Sequence, residues 1–286
     1  MGRRLALAVL ALGAALLAIG VLAVMPGGRV SEAPRSMMGS GFVNDWPDVA
    51  PSTWYWSDLL ALRIDRPAET TVVIWNHGTQ AMEDAPSCMG TAYFPPPAVI
   101  RLERIAGVRV WYLCTGADQS AGPRAHFEAR AAEIAALAAR LRAAGVAPER
   151  IFLAGQSGGA TAAALALAAE PEGYGGAMLY AMAWQGRGEG LRRRLRRGSA
   201  HDGWVRAALA APERFPALLV AFEADEWNGP EHLAFLAEAH PESLSLFVPG
   251  CGAGHGGAYQ GCAVAAVAAK TEAWLRARLG LPAPGE

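Results

Sequence analysis

Lysine is almost missing from this sequence: Lys270 is the only one among 25 basic residues, the rest being arginine. Charge of either sign is scarce as well, with 18% charged residues and a formal net charge of −1. No surplus of basic side chains is there to neutralise a phosphate backbone, which excludes nucleic acid as the partner. Cysteine is limited to Cys88, Cys114, Cys251 and Cys262, and no two of them stand two to four residues apart, so the ligand spacing of a zinc site is absent. No stretch repeats at a fixed period, which excludes solenoid and propeller arrays. Only one long apolar run occurs, from Leu5 to Met25.

That run follows Arg3 and Arg4 and stops at Pro26, Gly27 and Gly28. A basic start, an apolar core and a helix-breaking end make an export signal, with Val21 and Ala23 as a small-residue cleavage site. The run is also just long enough to span a bilayer, so residues 1–25 read as a signal peptide or as a retained anchor giving membrane association through residues 5–25. Either way the positive-inside rule puts the body of the protein outside the cytoplasmic membrane, periplasmic or extracellular. Four cysteines in such a chain imply two disulfides, and of three pairings we expect Cys88 with Cys114 and Cys251 with Cys262.

Residues 26–51 are rich in Gly, Pro, Ser and Asp without an apolar period and read as a linker. Residues 52–286 then suit one large domain. "STWYWSDLLALRI" has the composition of edge strands, while "TTVVIWNHG", "VRVWYLCTG", "RIFLAG", "GAMLYAMAW", "PALLVAF" and "LSLFVPG" are short apolar runs ending in turn residues. Between them lie helical spacings: "PPPAVIRLERIA", the stretch from Arg124 to Ala144 before Gly145, the alanine-rich run after Gly159, and Cys262 to Leu279. Strand and helix alternate, which argues for an α/β fold with a mostly parallel, doubly wound sheet covered by helices on both faces. About 185–214 an insertion carries a strongly basic helix with Leu191 and Leu195, then a segment around Trp204 and Leu209, and reads as a short lid.

One serine stands at a junction with chemical meaning. Gly155-Gln156-Ser157-Gly158-Gly159 follows a strand pattern and opens a helical one. A sharp strand-to-helix turn would expose the Ser157 hydroxyl, and the helix start behind it supplies oriented N–H groups. A serine hydroxyl needs a base, and the base an orienting acid. Of six histidines, His126, His201, His232 and His240 lie on helical or charged segments, whereas His255 sits in the glycine-rich "VPGCGAGHGGAYQGC" after the last strand. His255 is the expected base. The strand end "LLVAFEADEWNGP" offers Glu223, Asp225 and Glu226; Asp225 is the expected acid, with Glu223 and Glu226 as substitutes.

The chain order Ser157, Asp225, His255 resembles the α/β-hydrolase superfamily from about Thr70 to Leu279. That resemblance implies a serine hydrolase acting on a small-molecule ester or acyl substrate, with no cofactor and no metal. It implies an oxyanion hole from the backbone N–H groups of Thr79, in "WNHGTQ", and Gly158, with His77 supporting the loop. Family members commonly place glycine three residues before the acid; Phe222 stands there instead. Pocket candidates beyond the strand ends are Met82, Tyr93, Phe94, Trp184 and Trp227. Alternatives on the same fold are a peptidase or amidase and an acyltransferase; from another class, a membrane-anchored interaction protein without catalysis.

Overall fold

The computed structural model describes residues 41–43, 64–79, 94–117, 119–184 and 199–284. The leader, the expected strands at 52–63, Met82, Cys88 and Tyr93, and residues 185–198 of the insertion lie outside the described residues. Among the described residues no helix is long and apolar enough to cross a membrane.

Among the described residues seven strands form one sheet: β1 (Gly41–Phe42), β2 (Thr71–Asn76), β3 (Val108–Leu113), β4 (Ile151–Gln156), β5 (Gly176–Tyr180), β6 (Ala217–Val220) and β7 (Leu244–Phe247). Their order is β1-β3-β2-β4-β5-β6-β7, parallel throughout except for β1, which runs antiparallel to β3. The helices are α1 (Pro97–Ile100), α2 (Pro123–Ala143), α3 (Gly158–Ala169), α4 (Ala200–Ala210), α5 (Pro230–Ala239) and α6 (Val264–Arg278). The expected mostly parallel sheet with helices on both faces is what the chain forms.

The runs read as strands are continuous rather than alternating because both faces are covered. Strand alternation then sorts neighbours into two cores. Val72, Ile74, Ile151, Leu153, Ala177, Leu179, Ala217 and Leu219 face a layer of α2, α3, α4 and α5, which brings Phe127, Ile134, Leu141, Val205, Leu209, Leu233 and Leu236. Val73, Trp75, Phe152, Met178, Tyr180, Leu218 and Val220 face the other side, against Val99, Leu102, Val267 and Leu275.

Two local findings differ from the sequence expectations. The linker expected over 26–51 supplies β1: Phe42 is buried, its ring edge-on to Trp111 at 4.8 Å with the Arg109 guanidinium 4.1 Å over its face. A two-residue strand is too short to show a period in sequence. The described end of the insertion, 199–214, contains α4, capped by Ser199 accepting from the Asp202 N–H, with Val205 and Leu209 in the core. It packs as part of the helical layer.

The sheet reverses its winding between β2 and β4, because β3 lies to one side of β2 and every later strand to the other. Loops leaving the carboxyl ends of those two central strands therefore separate over a crevice, the usual ligand position in such sheets. Register keeps the ends level: Asn76 pairs with Gly155, Gln156 with Tyr180, and Val220 with Phe247.

Candidate active site

Ser157 follows β4 directly and caps α3, with φ 57° and ψ −126°. Among the described residues only Ala181 shares a positive φ without being glycine. Such a conformation costs on the order of 1–3 kcal/mol and persists only where surroundings impose it. They do here: the Ser157 N–H donates to Tyr180 O at 3.0 Å, and Ser157 O accepts from Thr161 N and Ala183 N. Flanking glycines permit the tight turn. A Cβ on Gly155 would stand 2.5 Å from Gly159 O, and one on Gly159 would strike the carbonyl oxygens of Asn76 and His77. α3 thus enters the crevice pressed against the end of β2. Its small residues, all buried from Gly158 to Leu167, let it lie deep in the helical layer.

The loop after β2 meets that turn. A Cβ on Gly78 would be 3.5 Å from Ser157 Cβ, and one on Gly158 would collide with Thr79 Oγ1. The N–H groups of Thr79 and Gly158, the two sequence candidates for oxyanion donors, make no hydrogen bond among the described residues. His77 is buried beneath the loop. Its Nε2 accepts from the Thr115 N–H at 3.2 Å, so Nδ1 carries the proton and donates to Gly78 O at 2.7 Å. Burial, reinforced by the nearby Arg130 charge, pushes the His77 imidazole down to about 3, and it stays neutral at ordinary pH.

Asp225 and His255 come together over the neighbouring strand ends. His255 Nδ1 lies 2.9 Å from Asp225 Oδ2 and 3.0 Å from Oδ1, with the carboxylate side chain fully buried. A carboxylate only accepts, so Nδ1 carries a proton and the neutral tautomer compatible with this contact has its lone pair on Nε2. Asp225 Oδ1 also accepts from the Trp227 N–H at 2.8 Å and, at 3.4 Å, from Asn228 N. Glu223 and Glu226, the other candidate acids, are exposed. Among the described residues no hydrogen bond joins Ser157 Oγ to His255; catalytic hydrogen bonds often close only around substrate.

Phe222, standing where glycine is common, has a local reason. Its ring is fully buried under the His255 loop, 2.6 Å from where a Cβ on Gly257 would be. Glycine at 257 makes room for the ring at 222. Ala224 N donates to Ala253 O at 3.0 Å, tying the Asp225 loop to the His255 loop. The expected Cys251–Cys262 disulfide closes the loop around His255. Cys114 is disulfide-bonded too, while its expected partner Cys88 lies outside the described residues.

The described pocket candidates separate. Trp227 is half-buried, its ring centroid 5.9 Å from that of His255. Phe94 stacks on Tyr112 at 5.7 Å. Trp184 has no exposed surface: its indole N–H donates to Asp202 Oδ1 at 2.8 Å and it packs edge-on to Phe235. An apolar groove lined by Ala131, Ala135, Leu165, Tyr174 and Trp204 lies along the far half of α3, away from Ser157.

Three residues at the site escape a reading of motifs. Gln156 donates from Nε2 to His255 O at 3.3 Å, linking the serine turn to the base loop. Asn228 donates to Met182 O at 3.0 Å and is fully buried. Arg130 reaches from α2 to Asn76 and His77. Only Arg130 left a trace in sequence, standing at helical spacing between the core residues Phe127 and Ile134.

No family model matches the sequence, and no curated protein does. Solved structures match in shape. A prolyl endopeptidase is 17% identical over 77% of this chain with a TM-score of 0.54, and this chain spans 36% of its length. A fungal esterase from Rhizomucor miehei is 17% identical over 76% of this chain and 77% of its own, also at 0.54. Est1E from Butyrivibrio proteoclasticus is 14% identical over 76% of this chain and 91% of its own, at 0.52. With its parallel sheet and level strand ends, the chain has the α/β-hydrolase fold.

Proposed function

We propose that the chain is an exported serine hydrolase that cleaves small carboxylic esters through an acyl-enzyme. The observation that carries the reading is a strained serine between β4 and α3, at the same sheet edge as a buried Asp225 bonded to His255. In this reading Ser157 Oγ attacks the ester carbonyl carbon while its proton passes to His255 Nε2. The carbonyl oxygen becomes an anion held by the Thr79 and Gly158 N–H groups, and loss of one such donor typically costs about 3 kcal/mol in the transition state. Collapse breaks the bond to the alkoxy group, which leaves as the alcohol with the proton from His255. Water then attacks the acyl-enzyme by the reverse sequence of proton transfers, releasing the acid and restoring Ser157. Asp225 holds the imidazole tautomer and stabilises the imidazolium.

Small esters are favoured because Trp227 stands beside His255 as an apolar wall and because one of the similar folds, from Rhizomucor miehei, is named as an esterase. The prolyl endopeptidase likeness supports a peptidase as the second reading. Disulfides at Cys251–Cys262 and Cys114 support an oxidising, exported setting.

Fluorophosphonate labelling of the wild type beside Ser157→Ala tests the mechanism, with turnover of p-nitrophenyl esters and of peptide anilides measured for both. Label on Ser157 and ester turnover lost in Ser157→Ala are expected. Full ester turnover by Ser157→Ala overturns the mechanism, and turnover of anilides alone moves the chain to the peptidase reading.

A further inference from the structure

Arg130 is the only buried arginine among the described residues, and it has no exposed surface. A charge taken fully out of water is costly unless it is paired or put to use. Burial lowers its affinity for the proton to about 10, which still leaves the guanidinium charged at neutral pH. Its Nη2 donates to Asn76 Oδ1 at 2.6 Å and to His77 O. Those acceptors belong to the last residue of β2 and the first residue of the loop that runs on to Thr79. Nε and Nη1 have no hydrogen-bond partner among the described residues. Nη1 is 3.4 Å from the point a Cβ would occupy on Gly158. One turn further along α2, Glu133 accepts from Thr115 Oγ1 at 2.5 Å and Gly116 N at 3.0 Å, and Thr115 N in turn donates to His77. α2 therefore holds the start of the loop after β2 directly through Arg130 and, by way of Thr115 in the loop after β3, through Glu133.

We infer that Arg130 is a positioning residue for the oxyanion site: it fixes the backbone that carries the Thr79 N–H and keeps a buried positive charge beside Gly158, where negative charge develops. The inference rests on the reading of Ser157 as nucleophile. Arg130 touches no substrate; it acts through the loop and through its field. A fixed charge aimed at a forming oxyanion needs no reorganisation when the reaction occurs, and in a water-poor site it acts at low effective dielectric. The contribution is specific to the tetrahedral anion, so it should show in kcat and hardly in KM.

The test compares wild type, Arg130→Met and Arg130→Lys as full chains, with folding checked by circular dichroism. Readouts are kcat and KM on p-nitrophenyl acetate and inhibition by phenylboronic acid, which adds to a nucleophilic serine as a tetrahedral anion. For Arg130→Met, kcat should fall about 100-fold with KM changed less than about 3-fold, and boronate inhibition should weaken in parallel. Arg130→Lys keeps the charge but has a single nitrogen where the guanidinium places Nη2 on Asn76 and His77 and Nη1 beside Gly158, so a loss of about 10-fold is expected in both readouts. An Arg130→Met that folds and keeps kcat and boronate inhibition within about 3-fold overturns the inference, as does a rise in KM alone. Should Arg130→Met not fold, Arg130→Lys decides, and wild-type kcat and boronate inhibition in that variant overturn it. A wild type unlabelled at Ser157 would overturn the nucleophile reading and this inference together, whereas a labelled wild type with unaffected Arg130 variants removes the inference alone.

Discussion

A single methyl group, added at two glycines, should stabilise at one and not at the other. Gly203 is exposed inside α4, and a Cβ there meets nothing within 4 Å. Gly203→Ala gains only helix propensity, about 1 kcal/mol, or roughly 2–4 °C in Tm for a domain of this size. Gly159 lies in the first turn of α3, where the same propensity gain is available. Its added Cβ, however, would stand 2.7 Å from Asn76 C and closer still to the carbonyl oxygens of Asn76 and His77. Ordinary carbon contacts are about 3.5–4.0 Å, so α3 and the end of β2 must separate by about 1 Å. Overpacking of that kind costs on the order of 1–3 kcal/mol, and here it falls on backbone that has no rotamer to change. The clash cancels or outweighs the propensity, and Gly159→Ala should lose up to about 2 kcal/mol net. The loop bearing Thr79 moves with it, and a misplacement of 1 Å at such a site can cost about 100-fold in rate. Urea unfolding and kcat on p-nitrophenyl acetate, measured for both variants, check this. A Gly159→Ala protein as stable as Gly203→Ala and as active as wild type would refute the reasoning.

Two further perturbations follow from the same geometry. His77 is held to about 3 in the folded chain against 6.5 unfolded; below pH 6.5 the unfolded chain binds the proton first, so stability falls with falling pH, by about 2 kcal/mol between pH 7 and pH 5. Urea titrations at the two pH values should show that slope in wild type and a shallower one in His77→Gln; equal slopes would refute the assignment. The Cys251–Cys262 bridge closes a loop with a sequence separation of 11. Replacing both cysteines by serine should cost about 3 kcal/mol, read as a lower urea midpoint, and an unchanged midpoint would show the bridge to be idle.

Much of the fold was legible because its strands announce themselves as short apolar runs between turn residues, and six of those runs became β2 to β7. The two residues of β1 gave no such period, and Phe42 is held by Trp111 and Arg109, neighbours that sequence separation conceals. At the site, Ser157 and His255 were marked by glycines, which a tight turn and a loop both require. The acid was harder, since Glu223, Asp225 and Glu226 look alike in a row; the register of the loop after β6 buries the middle carboxylate and exposes the others. Phe222 argued against the family pattern until Gly257, 35 positions later, proved to supply the missing space. Trp184 was read as a pocket wall because it follows a strand, yet the partner that fixes it, Asp202, sits across the insertion. The spacing of Arg130 between Phe127 and Ile134 puts it on the inner face of α2, but its acceptors are main-chain and amide oxygens, to which no sequence pattern points.

α3 is buried around its whole circumference from Gly158 to Leu167, whereas His255 hangs on a half-exposed loop after the last strand. Amide protons in α3 can then exchange with solvent only when the whole domain opens, while those near His255 need no more than a local excursion. Ser157 and His255 thus differ in the size of the opening that exposes their backbone. In mild denaturant the loop bearing His255 should open before the Ser157 turn does, and on the proposed mechanism activity should be lost before the core unfolds.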